Sequence, residues 1–170
     1  MSESAVEQMS RAPAAYAEIK GTEKYPKING TVYFFDVYGG TLVVAEIYRL
    51  PDKHTQNMGK FFGFHICEKN NCIEDKRDSF NSTPNDFSPE SAQHPHHLGD
   101  LPVLLSCRGT VWLEVYTGRF FPEQVIGRTV EIHEDPDDFR TQPHGNAGER
   151  IACGEIKVWG AQFKLCLLGL

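Results

Sequence analysis

The chain has 170 residues, of which 40% are hydrophobic and 24% charged, and it carries a formal net charge of −6. This length and composition predict a single soluble globular domain. The acidic balance excludes the basic surface that nucleic acid would need. No apolar run approaches the roughly 18 residues that span a bilayer, so no membrane partner is expected.

The amino terminus is polar and has no apolar core of the kind that secretory signals carry. As the sequence stands this predicts a cytoplasmic protein, or a secreted or periplasmic one if a signal segment has been removed. Residues 1–13 are read as a disordered leader before one domain over residues 14–170. The five cysteines are odd in number and form no Cys-x-x-Cys pair, so at least one thiol stays outside any disulfide scheme.

The domain is predicted to be made of strands. Two β-branched and aromatic runs, residues 28–37 and 41–50, flank Tyr38-Gly39-Gly40, whose glycines supply the positive φ of a tight hairpin. Similar patterns predict strands over residues 15–20, 60–67, 103–107, 109–117, 129–134 and 151–158. One helical turn is expected at residues 122–126. Many short strands separated by turn signals predict an all-β sandwich or barrel.

The strand over residues 60–67 places His65 and Cys67 on one face, because side chains alternate along a strand. Two ligands at this spacing could hold a metal ion from one side. The alternative is structural: His65 as a hydrogen-bonded, half-buried histidine, and Cys67 as a small buried hydrophobic residue.

A second candidate metal site lies in a polar segment of more than thirty residues. His94-Pro-His-His-Leu-Gly-Asp100 packs three imidazoles and a carboxylate into seven residues, and Pro95 and Gly99 keep the segment irregular. Imidazole nitrogen and carboxylate oxygen suit zinc. The alternative is a solvated histidine-rich loop, and His96, His54 and His144 receive no predicted role.

Four segments together resemble the copper/zinc superoxide dismutases over about residues 28–156. They are Gly63-Phe-His-Ile-Cys67, His94-Pro-His-His-Leu-Gly-Asp100, the run from Val125 to Asp138 and the run from Gly145 to Gly154. The resemblance implies an eight-stranded Greek-key β-barrel, an immunoglobulin-like sandwich, in which two long loops cover a metal site.

The resemblance also implies roles for individual residues. His94, His97 and Asp100 match zinc ligands, and His65 and His133 match copper ligands. Asp137 matches an aspartate that orients both metal sites, and Arg150 matches an arginine that guides superoxide to copper. Cys72 and Cys153 match the disulfide of the family.

Two positions depart from the family's pattern. Cys67 stands where the family has a second copper-binding histidine, and Asp86 stands where a histidine bridges copper and zinc. Asp86 could complete the zinc site with His94, His97 and Asp100, whereas His65, Cys67 and His133 form a set that favours copper(I).

Three hypotheses about function follow from these departures. The first is a dismutase-like metal-binding protein that keeps zinc, has an impaired copper site and dismutates superoxide weakly or not at all. The second is an active dismutase that uses copper at His65, Cys67 and His133, and the third is a copper(I) carrier. Zinc is the expected cofactor and copper is in doubt, and the resemblance leaves a homodimer open.

Overall fold

The structure, a computed structural model, describes residues 12–51, 59–68, 72, 87, 92–142 and 144–160. In these residues the chain forms nine strands and one helical turn, α1 (Pro122–Val125), which is far too short to cross a membrane. The strands in chain order are β1 (Ala15–Gly21), β2 (Asn29–Val37), β3 (Gly40–Tyr48), β4 (Lys60–Phe62), β5 (Phe64–Cys67), β6 (Leu104–Ser106), β7 (Thr110–Thr117), β8 (Thr129–His133) and β9 (Arg150–Val158).

The strands form two antiparallel sheets that continue into each other. Seven of them pair in the order β5-β8-β9-β1-β2-β3-β7, and β4 pairs with β6. Since β4 leads directly into β5 and β6 turns directly into β7, the small sheet joins the two edges of the large one. With β4 and β5 counted as one interrupted strand, the barrel has eight strands, and the predicted all-β fold is confirmed.

The hairpin between β2 and β3 forms where it was predicted. Its strands pair from Asn29 with Tyr48 to Val37 with Gly40, and Gly39 has a φ of 81° in the turn. This left-handed conformation favours glycine because a Cβ would crowd the backbone.

The predicted continuous strand over residues 60–67 is instead broken at Gly63. A Cβ at this position would lie 2.8 Å from the Cβ of Ala147 and 3.2 Å from that of His133. The Gly63 N–H donates to the carbonyl of Asp135 at 2.8 Å, outside the ladder of the sheet. The glycine therefore lets the segment after β8 approach the barrel.

Both faces of β5 are buried, but against different surroundings. Phe64 and Ile66 belong to the hydrophobic core of the barrel, as does Phe62 of β4. His65 and Cys67 point the other way and are nevertheless 0% exposed, because loops cover that face. The backbone of β5 bonds to one of these loops, since the Ile66 N–H donates to Gly99 and the Leu101 N–H to Phe64.

A disulfide joins Cys72 to Cys153 on β9, as the resemblance implied, and spans 81 residues of sequence. A cross-link of that span stabilises the folded state by roughly 4 kcal/mol on the chain-entropy estimate. Cys67 and Cys107 stay outside it. The predicted leader lies almost entirely outside the described residues, as does the apolar tail over residues 161–170.

Candidate metal centre

Asp100 stands between His94 and His97 in a buried group of three potential ligands. Its Oδ1 lies 3.1 Å from His94 Nδ1, and its Oδ2 lies 3.4 Å from His97 Nδ1. The ligand atoms of the three residues all lie within 4.8 Å of one another, and none of the residues is more than 7% exposed. The His97 N–H donates to Asp100 Oδ2 at 2.9 Å, which fixes the carboxylate between the two rings.

The backbone of this segment is tied to the barrel at Gly99. Its N–H donates to the carbonyl of Phe87 at 2.9 Å, while the Phe87 N–H donates to Ile66 on β5 at 2.7 Å. A Cβ at Gly99 would come within 3.0 Å of the Phe87 nitrogen, so only glycine allows the three chain segments to lie this close. The Phe87 ring is buried, and the guanidinium of Arg128 lies over it, 3.7 Å from its centre.

Two side chains that sequence reasoning missed hold the loop in place. The Gln142 amide clamps the backbone of His94: its oxygen accepts from the His94 N–H at 2.9 Å, and its nitrogen donates to the His94 carbonyl at 2.8 Å. The guanidinium of Arg119 donates to the carbonyls of His97 and Asp100 at 3.2 and 3.1 Å. An amide and an arginine in polar loops carry no signal of such roles in one sequence.

Asp137 lies between this group and a neighbouring group of histidines and hydrogen-bonds to both. Its Oδ1 lies 2.8 Å from His94 Nε2 and its Oδ2 lies 3.1 Å from His65 Nε2. Burial would raise the pKa of this carboxyl, but hydrogen bonds from His65, the Phe139 N–H and His94 outweigh it and hold the pKa below its usual value. Asp137 thereby fixes the orientation of both rings, because an aspartate on one imidazole nitrogen leaves the other to face a metal.

Gly145 makes room for this bridge. It has a φ of 61°, and a Cβ there would overlap the carboxylate of Asp137 and come within 2.9 Å of His94 Nε2. Its own N–H donates to Thr141 at 2.7 Å, so the loop closes tightly beside the bridge.

A second group of imidazoles lies on the other side of Asp137. The ring centres of His65 and His133 are 5.3 Å apart, and both residues are at most 1% exposed. His133 follows a register shift at the end of β8, and its Nδ1 lies 3.2 Å from the carbonyl of Gly148. The two predicted copper-side histidines are therefore brought together.

His144, which received no predicted role, belongs to the same group. Its ring centre lies 6.3 Å from that of His65 and 6.2 Å from that of His133, and the residue is 9% exposed. The sequence did contain a signal, because His144 directly precedes the Gly145 segment that matches the family's loop over the metal.

Glu131 is a further buried group that sequence reasoning missed. It pairs with His65 across the β5–β8 ladder and is 1% exposed. Its Oε1 accepts from the Arg150 guanidinium at 2.9 Å, and its Oε2 lies 3.8 Å from His133 Nε2. Arg150, predicted to guide an anion, thus has its charge balanced by a carboxylate. A glutamate between Val130 and Ile132 in a short buried strand was the available signal.

The remaining predicted ligands are Cys67 and Asp86. Cys67 is a buried residue opposite Thr129 in the ladder. The ligand atoms of His65, Cys67 and His133 do not all lie within 4.8 Å of one another. Asp86 lies outside the described residues.

The group at Asp100 fits zinc by the chemistry and spacing of its donors. Zinc bonds of about 2.0–2.1 Å at tetrahedral angles put neighbouring donors about 3.3 Å apart. The two spacings of 3.1 and 3.4 Å from Asp100 to the histidines bracket that value. The structure therefore brings together two imidazoles and one carboxylate in a buried group that could hold a divalent metal ion.

Comparison with known proteins shows which family this sequence matches. The family model described as copper/zinc superoxide dismutase (SODC) matches residues 28–156. "Superoxide dismutase [Cu-Zn] 2" of Aquifex aeolicus is 30% identical over 160 residues, which cover 84% of this chain and 86% of that protein. "Superoxide dismutase-like protein YojM" of Bacillus subtilis is 33% identical over 115 residues, covering 58% of this chain and 56% of the relative.

A solved structure has the same fold. The crystal structure of a SOD-like protein from Bacillus subtilis superposes with a TM-score of 0.67 at 28% identity, and the match covers 84% of this chain and 98% of that one. The family match extends over most of the chain and includes both histidine groups and the disulfide. This chain is therefore a member of the copper/zinc superoxide dismutase family.

Proposed function

We propose that this chain is a dismutase-like metal-binding protein that holds zinc through Asp86, His94, His97 and Asp100 and dismutates superoxide weakly or not at all. The observation that carries the proposal is the buried group around Asp100, whose donor atoms have the spacing of a tetrahedral zinc site. Asp86 is the neighbour in sequence of Phe87, which is hydrogen-bonded to Gly99 beside Asp100. Four protein ligands would close the site and make it structural.

The weak dismutation rests on the two replaced ligands. In the family the histidine at the position of Asp86 bridges the two metals and passes a proton to the reduced oxygen. A carboxylate has too low a pKa for that transfer. Cys67 in place of an imidazole would add a thiolate, which prefers copper(I) and is open to oxidation by peroxide.

The ion pair at Arg150 gives independent support. An arginine that attracts an anion needs a positive potential at the mouth of the site. Here the guanidinium is 2.9 Å from the carboxylate of Glu131, and its side chain is only 17% exposed. The pair is close to neutral, which weakens the pull on superoxide.

The alternative is copper bound at His65, Cys67 and His133, either in an active dismutase or in a copper(I) carrier. It is favoured by the 5.3 Å separation of the two rings and by a buried thiol two residues from His65. A thiolate with two imidazoles is a soft set that suits copper(I).

The first test measures metal content and activity together. The metal-stripped full chain is exposed to equal copper and zinc, excess metal is removed, and zinc and copper per chain and the rate of superoxide decay are determined. We expect zinc in the site around Asp100 and a rate far below the diffusional ceiling of about 10⁸–10⁹ M⁻¹ s⁻¹ that superoxide dismutase reaches.

A reversion provides the matched control. Cys67→His with Asp86→His restores both family ligands, and a large gain of activity over the parent supports the proposal. A parent protein that already dismutates near the ceiling would contradict it. A chain that keeps no zinc would show that the Asp100 group does not bind it.

A further inference from the structure

The region beside Asp137 contains two donors that the family comparison does not assign, His144 and Glu131. Together with His65 and His133 they bring three imidazoles and one carboxylate around one buried space. Each of the four residues is at most 9% exposed. Four buried metal-binding side chains from three separate chain segments are unusual unless they serve a common purpose, because burying polar groups costs free energy.

The spacing of the rings is close to that around a shared ion. Metal–nitrogen bonds of about 2.0–2.1 Å at tetrahedral angles place the centres of two imidazoles on one ion about 5 Å apart. The three separations here are 5.3, 6.2 and 6.3 Å, so the His144 ring needs to move by about 1 Å towards His65 and His133. The donor atoms of the Asp100 group all lie within 4.8 Å of one another, whereas those of this second group do not. Binding of an ion would draw the second group together.

The ring nitrogens that would hold the ion are buried. Asp137 holds His65 by Nε2, and the opposite nitrogen, Nδ1, is buried. Nδ1 of His133 lies 3.2 Å from the Gly148 carbonyl. The other ring nitrogen of His133, Nε2, is buried and lies 3.8 Å from Oε2 of Glu131. His144 likewise has a buried Nε2, and its ring is within 19° of parallel to that of His133.

Glu131 supplies the charge that such an ion requires. Arg150 satisfies Oε1, but among the described residues no donor hydrogen-bonds to the buried Oε2. His133 Nε2, 3.8 Å away, is beyond hydrogen-bonding distance, yet an ion between the two atoms could contact both. A buried carboxylate oxygen that accepts no hydrogen bond is costly, and a cation would offset that cost.

We propose that His144 and Glu131 replace the two lost family ligands, so that His65, His133, His144 and Glu131 form a second metal site distinct in composition from the family's copper site. A three-nitrogen, one-oxygen set binds copper(II) most tightly among the divalent first-row ions, and thus more tightly than zinc. The site uses neither Cys67 nor Asp86, and it goes beyond the proposed function, which concerns the zinc site at Asp100.

Copper(II) titration of the zinc-loaded full chain tests the second site. We expect one copper per chain with an electron paramagnetic resonance spectrum of a nitrogen-rich site. His144→Ala should lower copper affinity about tenfold or more and change that spectrum, since even residues that only support ligands cost 10–100-fold. Cys67→Ser and His96→Ala, the latter at an exposed histidine, should leave both unchanged.

Several outcomes would overturn the inference. One is a His144→Ala protein with the parent's affinity and spectrum, and another is loss of copper in Cys67→Ser, which would assign the ion to the thiol. Glu131→Gln keeps the shape of the side chain but removes its charge, and it too should lower copper affinity. A Glu131→Gln protein with the parent's affinity and spectrum would also overturn the inference. If copper fails to bind while zinc stays, the second site fails and the proposed zinc function stands. If Asp100→Ala still holds zinc, the proposed function fails instead.

Discussion

The two histidine groups differ in how the chain builds them. His94, His97 and Asp100 come from seven consecutive residues, and one carboxylate contacts both rings. His65, His133 and His144 come from β5, the end of β8 and the following loop, and their spacing depends on how the barrel and its loops pack. A compact local site depends chiefly on its own ligands, whereas a site assembled from distant segments depends on the framework around it.

The largest expected effect is the loss of zinc on removing Asp100. Asp100→Ala deletes the carboxylate that contacts both His94 and His97. We expect zinc affinity to fall by more than the roughly 10–100-fold caused by loss of a supporting residue. Chelator competition measures the affinity, and His96→Ala should behave as the parent. If Asp100→Ala bound zinc as tightly as the parent, the group around Asp100 would not be the zinc site.

The next effect concerns stability on the assembled side. Glu131→Leu leaves the Arg150 guanidinium without its buried carboxylate, which for a fully buried pair costs about 3–5 kcal/mol. Because the Arg150 side chain keeps 17% exposure, we expect about 2–3 kcal/mol by urea unfolding of metal-stripped protein. Glu131→Leu with Arg150→Leu should regain most of this loss. A double variant no more stable than the single one would be evidence against the pair.

Asp137 is the one residue that should affect both groups. In Asp137→Asn the amide nitrogen replaces one of the two oxygens that face His94 and His65. We expect zinc affinity to fall about 10–100-fold, with a changed copper spectrum at the second group. Asp138→Asn, at the neighbouring exposed carboxylate, is the matched control. An effect on zinc alone would mean that the two groups are not coupled through Asp137.

A smaller effect is expected at Gln142, an exposed residue whose amide makes two hydrogen bonds to the backbone of His94. Gln142→Ala should cost about 1 kcal/mol, which corresponds to about fivefold weaker zinc binding. The copper spectrum should stay as in the parent, since the clamp touches only the local group. Chelator competition measures the zinc affinity of Gln142→Ala and of Gln142→Glu. Because Gln142→Glu keeps the oxygen acceptor but loses the nitrogen donor, the comparison separates the contributions of the two hydrogen bonds.

The smallest effect is a pH dependence from Asp138. Hydrogen bonds from the Thr141 hydroxyl and from the N–H groups of Thr141 and Arg140 hold the pKa of this carboxyl below 3.8. A pKa lowered by folding stabilises the protein above about pH 3.8, and the stabilisation is lost as the pH falls below it. The free energy of unfolding of the metal-stripped protein should therefore fall less steeply between pH 5 and 3 in Asp138→Asn than in the parent. Identical slopes would show that the turn does not contribute.

Much of the fold could be predicted because its signals are local. Alternation along the strands and the glycines of the β2–β3 turn located eight of the nine strand segments, and the ninth arose from the break at Gly63. That break depends on a contact with Ala147, more than eighty residues away, which no local pattern reports.

The sequence by itself determined the group around Asp100, because seven neighbouring residues carry all of its described ligands and the family's motif marks them. It also marked the cysteines of the disulfide and the aspartate that links the two groups. Only the tertiary structure decided that His144 faces His65 and His133 and that Glu131 holds Arg150. The reason is physical: side chains from separate segments meet only when the barrel closes and its loops fold over it, and their spacing in sequence does not encode that distance.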